Sequence, residues 1–137
     1  MSSSSDINIT NQFVRAAGKG DENTVRSLLL TSKVNINDKN KYGSTAFIDA
    51  AKNNKESMVS LLLDRGADIN IKHDYYGYTA LMDAAKNNKE SMVSLLLDRG
   101  ADINLENADG DTALIVAAKN NKESMVSLLL DRGADIN

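Results

Sequence analysis

Nineteen residues constrain this chain more than any other feature. The run Lys52-Asn-Asn-Lys-Glu-Ser-Met-Val-Ser-Leu-Leu-Leu-Asp-Arg-Gly-Ala-Asp-Ile-Asn70 recurs unchanged from Lys86 to Asn104 and from Lys119 to Asn137. The copies start 34 and then 33 residues apart. A period of that length means one supersecondary unit per repeat, set side by side. Such a unit cannot bury its apolar face alone, so its neighbours bury it. Several small interfaces then replace one central core, and specificity must come from the parts that differ between copies.

Each full unit opens with a short polar segment that reaches a glycine, Gly43, Gly77 or Gly110. Glycine supplies turn conformations that other residues reach only with strain. Two residues on stands a threonine (Thr45, Thr79, Thr112), a good helix N-cap. A first helix is expected to follow, as in Ala46-Phe47-Ile48-Asp49-Ala50-Ala51, kept thin by its alanine pair. Asn53-Asn54 then makes a turn, because Asn tolerates left-handed geometry. Glu56 belongs in the first turn of a second helix, at the positive end of its dipole. Met58, Val59, Leu62 and Leu63 form its core-facing stripe, and Gly66 stops it. Turns of this kind account for all eight glycines and leave none for a phosphate-cradling loop.

The units are expected at residues 38–70, 71–104 and 105–137. A diverged first unit covers 11–37, with Val14, Ala16, Ala17, Val25, Leu28 and Leu29 at helical spacing and a tight turn at Gly18-Lys-Gly20-Asp21. Terminal units of a repeat array are atypical because one face meets water. Residues 1–10 read as a disordered Ser-rich leader with no basic or apolar region of a secretory signal. Unit three has six residues between Asn70 and its glycine where units two and four have five, so its polar segment should be longer or bulged.

The motifs Gly43-Ser44-Thr45-Ala46-Phe47, Gly77-Tyr78-Thr79-Ala80-Leu81 and Gly110-Asp111-Thr112-Ala113-Leu114, with three copies of Gly-Ala-Asp-Ile-Asn, resemble ankyrin repeats from about residue 11 onward. The resemblance implies an all-α solenoid of stacked helix-turn-helix units with protruding hairpin fingers. A tetratricopeptide array is disfavoured: its large aromatic and proline markers are missing, and Gly-x-Thr before the first helix does not suit it. Two departures from the ankyrin pattern matter. The family tetrapeptide Thr-Pro-Leu-His has Ala in place of Pro throughout, and its His position holds Ile48, Met82 and Ile115. The hydrogen bonds that this imidazole makes in the family cannot form, so apolar packing must replace them.

The resemblance implies a protein–protein interaction module, an adaptor or scaffold that grips a partner through its finger tips and concave face. A regulatory or inhibitory subunit that blocks a partner enzyme is the alternative. All four tyrosines (Tyr42, Tyr75, Tyr76, Tyr78) fall on fingers, and tyrosine is enriched at interface hot spots. His73, the single histidine, shares the longest finger with Lys72. Lys41 flanks Tyr42, and Asp49 and Asp83 follow the lost His position, which faces the groove in the family. These nine residues, Lys41, Tyr42, Asp49, Lys72, His73, Tyr75, Tyr76, Tyr78 and Asp83, are the expected contact set. Finger charge runs from +1 in unit two to −3 in unit four, which would set orientation and association rate more than affinity. The family also suggests asparaginyl hydroxylation at Asn70 and Asn104, against the simpler reading that these side chains bond across the finger base.

Other classes fit less well. A net charge of −3 disfavours a generic nucleic-acid binder. With no cysteine, disulfides, thiolate catalysis and Cys-ligated zinc are excluded. No apolar run approaches the ~20 residues that span a bilayer, so no membrane association is expected. A lone His73 beside Asp74 has no nucleophile at recognisable spacing, so neither an enzyme nor a metal or cofactor site is expected. The expected place is the cytoplasm, with the nucleus as alternative. The expected state is a monomer, with end-to-end stacking through a partly uncovered Met125, Val126, Leu129 and Leu130 as alternative.

Overall fold

A computed structural model describes residues 4–136; Met1, Ser2, Ser3 and Asn137 lie outside the described residues, and with them the start of the expected leader. The described residues form helices and turns and no strand. The helices are α1 Ser4–Lys19, α2 Glu22–Thr31, α3 Ala46–Lys52, α4 Glu56–Asp64, α5 Ala80–Lys86, α6 Glu90–Asp98, α7 Ala113–Lys119 and α8 Glu123–Asp131. They group into two compact units, one reaching to Asp68 and one starting at Ile69. The first holds the antiparallel pairs α1/α2 and α3/α4, with α1 beside α3; the second holds α5/α6 and α7/α8, with α5 beside α7.

Local chemistry explains several of the helix boundaries. Thr45, Thr79 and Thr112 are extended, and their Oγ1 atoms accept N–H bonds from Ile48, Met82 and Ile115 at 3.2, 3.3 and 3.4 Å. These are the threonine N-caps expected from the sequence. Asn54, Asn88 and Asn121 sit at φ 59°, 58° and 59° and close the turn between the paired helices. There the N–H of Lys55 reaches back to Ala50 O at 2.8 Å and that of Asn54 to Ala51 O at 3.0 Å, the two bonds of a Schellman end. Gly66, at φ 94°, ends α4 in the same way.

The core runs along the paired helix faces. Met58, Val59, Leu61 and Leu62 are buried in α4, so Leu61 takes the place expected for Leu63, which is half-buried. Ile48 and Met82, at the position of the lost histidine, are buried as apolar replacements, whereas Ile115 is 39% exposed. Met125 and Leu129 are fully buried, contrary to the expectation that they would be partly uncovered, because they lie one turn apart on the face that meets α7. Val126 is half-buried and Leu130 is 40% exposed.

Two further corrections concern the N-terminal region. Helix α1 takes in residues 4–10, which the sequence reading placed in the leader. Ile9 stands one turn before the buried Phe13, so the apolar face extends toward the N-terminus. Gly18 lies inside α1, not in a turn. Its role is close approach: a Cβ there would stand 3.1 Å from Asn53 Nδ2, which donates to Gly18 O at 3.0 Å.

Within each compact unit, asparagines tie neighbouring finger bases together. Asn37 Oδ1 accepts the Asp68 N–H at 2.8 Å; Asn70 and Asn104 accept those of Asp102 and Asp135 at 2.9 Å each. Asn70 and Asn104 therefore bond across the finger base.

Candidate functional site

The fingers are small turns built around one side chain. In finger two the Asn40 N–H donates to Ser44 O at 2.8 Å, and Asn40 Oδ1 accepts the N–H groups of Tyr42 and Ser44 at 3.0 Å each. Finger four repeats this with Asn107, whose Oδ1 accepts from Asp109 at 2.9 Å and Asp111 at 3.0 Å. A short side chain that bonds backbone two residues on is an Asx-type turn former. Finger three has His73 at that place. Its Nδ1 accepts the Tyr75 N–H at 2.8 Å, and its own N–H reaches Tyr78 O at 2.8 Å, one residue further along. The added residue is absorbed at the tip, where Tyr76 sits at φ 64° and Gly77 at φ 67°. A left-handed tyrosine is strained, since only Gly and, less readily, Asn or Asp visit that region routinely. Its carbonyl accepts the Ala108 N–H at 2.9 Å, which clips finger three to finger four.

In the first compact unit, α1 and finger two enclose an open polar groove of about 440 Å³. Lys41, Tyr42 and Asp49, all expected contact residues, line it. The Lys41 N–H donates to Asn11 Oδ1 at 3.3 Å, fixing the finger against α1. Lys41 Nζ lies 5.1 Å from the centre of the Tyr42 ring, which is 70% exposed. Asp49 Oδ1 accepts the Ser44 hydroxyl at 2.5 Å. The opposite wall was missed from sequence: Asn8, Asn11, Gln12 and Arg15 of α1. Their i, i+3, i+4, i+7 spacing is the signal that could have found them, an all-polar stripe behind the buried Phe13, Val14, Ala16 and Ala17.

The remaining expected residues lie in the second compact unit. Tyr75 and Tyr76 project at the tip, 68% and 57% exposed, with ring centres 4.3 Å apart and edge-on. A hydrogen bond with Tyr75, with smaller contributions from burial and Asp109, pushes the Tyr76 phenol above its ordinary value. Tyr78 is half-buried under Lys86, whose Nζ lies 5.7 Å from the ring centre. Lys72 is exposed, while His73 and Asp83 are half-buried. In finger four, Asp111 takes the Lys119 ammonium at 2.8 Å and pushes its pKa up, so part of the acidic charge there is neutralised by its own repeat. Among the described residues no group of three or more His, Cys, Asp and Glu could hold a metal ion. No described helix is long and apolar enough to cross a membrane.

A model of three consecutive ankyrin repeats matches residues 13–107 and again 76–137, which together span most of the chain. The chain belongs to the ankyrin repeat family. Ankyrin repeats are generally protein–protein interaction modules, typically without catalytic activity. Chicken (Gallus gallus) inversin is 40% identical over 67 residues, covering 48% of this chain and 6% of inversin. FPV230 of fowlpox virus (strain NVSL), by name an ankyrin repeat protein, is 49% identical over 47 residues, covering 34% of this chain and 25% of its own length. The chain thus spans only a small part of these relatives. In this ankyrin protein Ile48 and Met82, at the position where the resemblance implies histidine, pack as buried apolar residues.

Proposed function

We propose that this ankyrin chain is an adaptor or scaffold that holds a partner protein through its finger tips and the adjoining first-helix faces. The reading takes residues 38–70, 71–104 and 105–137 as repeats and the N-terminal helix pair as a capping unit. One observation carries it. The second helices α4, α6 and α8 share one sequence, whereas the exposed tyrosines and unlike charges gather on fingers that differ from repeat to repeat. A scaffold repeated without change needs only to stack; the first helices differ at a few mostly buried positions, but the unlike exposed groups stand on the fingers, which is where recognition requires them. Tyr42, Tyr75 and Tyr76 are amphipathic, exposed and held on hydrogen-bonded turns, so little ordering entropy is lost on contact.

Affinity capture from a lysate of the source organism tests this, with the native chain, Lys41→Ala/Tyr42→Ala and Tyr75→Ala/Tyr76→Ala as baits of matched circular dichroism. A partner retained by the native chain and lost by either variant supports the reading. A partner retained equally by all three moves recognition off the fingers, and no partner on the native chain removes the adaptor reading.

A further inference from the structure

We propose that the groove between α1 and finger two takes an extended segment of partner polypeptide through a side-chain carboxylate, from Asp or Glu. The proposal rests on the interaction-module reading and names the chemistry of its ligand.

The groove is unusual in what it leaves unspent. Asn11 Oδ1 is used by the Lys41 N–H, and Asn40 Oδ1 by the N–H groups of Tyr42 and Ser44. Those bonds fix the orientation of both amides, because only the oxygen end can accept. The donor ends of Asn11 and Asn40 then remain without a partner among the described residues. Arg15 lines the same groove, is exposed, and has no ion-pair partner among the described residues. Lys41 adds a second cation, held at the mouth by the Tyr42 ring. The wall therefore offers these four donor groups, two of them charged; Asn8 and Gln12 add amides that can donate or accept, while Asn11, Asn40 and Asp49 each have one acceptor oxygen already engaged. Asp49, the acid in the groove, already receives the Ser44 hydroxyl.

A donor-rich cleft selects an acceptor-rich ligand. A guanidinium fork matches a carboxylate in two parallel bonds, and such charge-assisted bonds are about twice as strong as neutral ones. The Asn11 and Asn40 amides suit main-chain carbonyls on either side, in the way that extended peptides are commonly held. Asp49 argues against a more highly charged ligand: the groove carries Arg15 and Lys41 against Asp49, enough for one carboxylate and poor for a phosphate or a nucleic-acid backbone. This local positive character stands on a chain of net charge −3, so it belongs to the groove and not to the protein as a whole.

The test is titration of the isotope-labelled full chain, followed by NMR, with a capped hexapeptide carrying one central Glu. A Gln version and free acetate serve as comparisons. The Glu peptide is expected to shift the side-chain amide signals of Asn11 and Asn40 and the Arg15 Nε signal. It should bind at least about tenfold tighter than the Gln peptide, the effect of losing one charge-assisted contact. Arg15→Gln should weaken it by about the same factor, and Lys33→Gln, on an exposed residue outside the groove, should not. Tighter binding of acetate than of the peptide would reduce the site to an adventitious anion site. Equal binding of the Glu and Gln peptides, no shifts at millimolar peptide, or an Arg15→Gln variant that binds normally would each overturn the proposal. If captured partners still depend on Tyr75 and Tyr76 in that event, the interaction reading stands and only the groove assignment falls.

Discussion

Helices α6 and α8 have the same nine residues, Glu-Ser-Met-Val-Ser-Leu-Leu-Leu-Asp, and lie in the same compact unit. Their inner residues behave alike: Met92 and Met125, Leu96 and Leu129 are all fully buried. Their outer residues do not. Val93 is fully buried and Val126 half-buried; Leu97 is half-buried and Leu130 40% exposed. The partner helix is not the cause, since α7 offers Ile115 and Val116 where α5 offers Met82 and Asp83. The Met–Leu pair is buried by its own helix pair, and the flanking valine depends on what lies beyond it. One sequence thus carries two kinds of stability, local and borrowed, as expected of a repeat array in which interfaces between neighbours are separate terms.

That division can be broken by substitution. Leu96→Ala and Leu129→Ala should both be costly and about equal, roughly 3 kcal/mol each, because both side chains are fully enclosed. Val93→Ala should cost about 2 kcal/mol, two methyl groups plus the cavity they leave, and Val126→Ala about half as much. Urea denaturation followed by far-ultraviolet circular dichroism measures all four. Equal costs at Val93 and Val126 would mean that burial is set within the helix pair and would remove the distinction.

Where the repeats differ, the contrast moves to the fingers. Tyr42 and Tyr76 each precede the turn glycine, but Tyr76 is held at φ 64°. Tyr76→Gly relieves that strain and should raise the denaturation midpoint. Tyr42→Gly relieves nothing, loosens the unfolded chain and should lower the midpoint slightly. The gain at Tyr76 should come with weaker partner capture, the trade expected where strain presents a contact side chain. A Tyr76→Gly chain that is no more stable than the native one would show that the lost Tyr75–Tyr76 ring contact and the freer unfolded chain offset the relief of strain.

The scaffold was legible because it repeats. Thr45, Thr79 and Thr112 at the helix starts, the paired asparagines between helices and Gly66 at the helix end each announce a local geometry that three copies restate. The finger tyrosines could be located but not weighed: nothing in composition distinguishes the projecting Tyr75 and Tyr76 from Tyr78, which lies half-buried beneath Lys86. The α1 wall of the groove escaped for a physical reason. Asn8 and its neighbours have weak helix propensity, and a Ser-rich start reads as solvated chain; only the register with Phe13 and the pairing with α3 reveal the polar stripe as a face. The turn-forming role of Asn40, His73 and Asn107 was missed, His73 having been read only as a contact residue, because a turn-forming side chain is recognised by the bonds it makes, not by its spacing alone.

The smallest effect lies at the helix starts. α6 and α8 begin at Lys89 and Lys122 with no side-chain cap, whereas α2, the corresponding helix of the first pair, begins at Asp21. The Asp21 carboxylate accepts the Thr24 hydroxyl at 2.6 Å and the Thr24 N–H at 3.2 Å, and these bonds hold its pKa below the ordinary carboxylate value. A lowered folded-state pKa stabilises the protein fully above the pKa of the unfolded carboxyl, and that contribution is lost as pH falls through the folded value. Asp21→Asn keeps a neutral cap of similar quality and removes the titration. The native chain should therefore exceed Asp21→Asn in urea midpoint at neutral pH, with the gap closing as pH falls below about 4. A gap that stays constant through the acid range would mean that the carboxylate gains nothing from Thr24. Lys89→Asp should bring the same acid sensitivity to the start of α6, where the native chain has none from a side-chain cap. If it does, helix starts in this protein are independent of the repeat in which they stand.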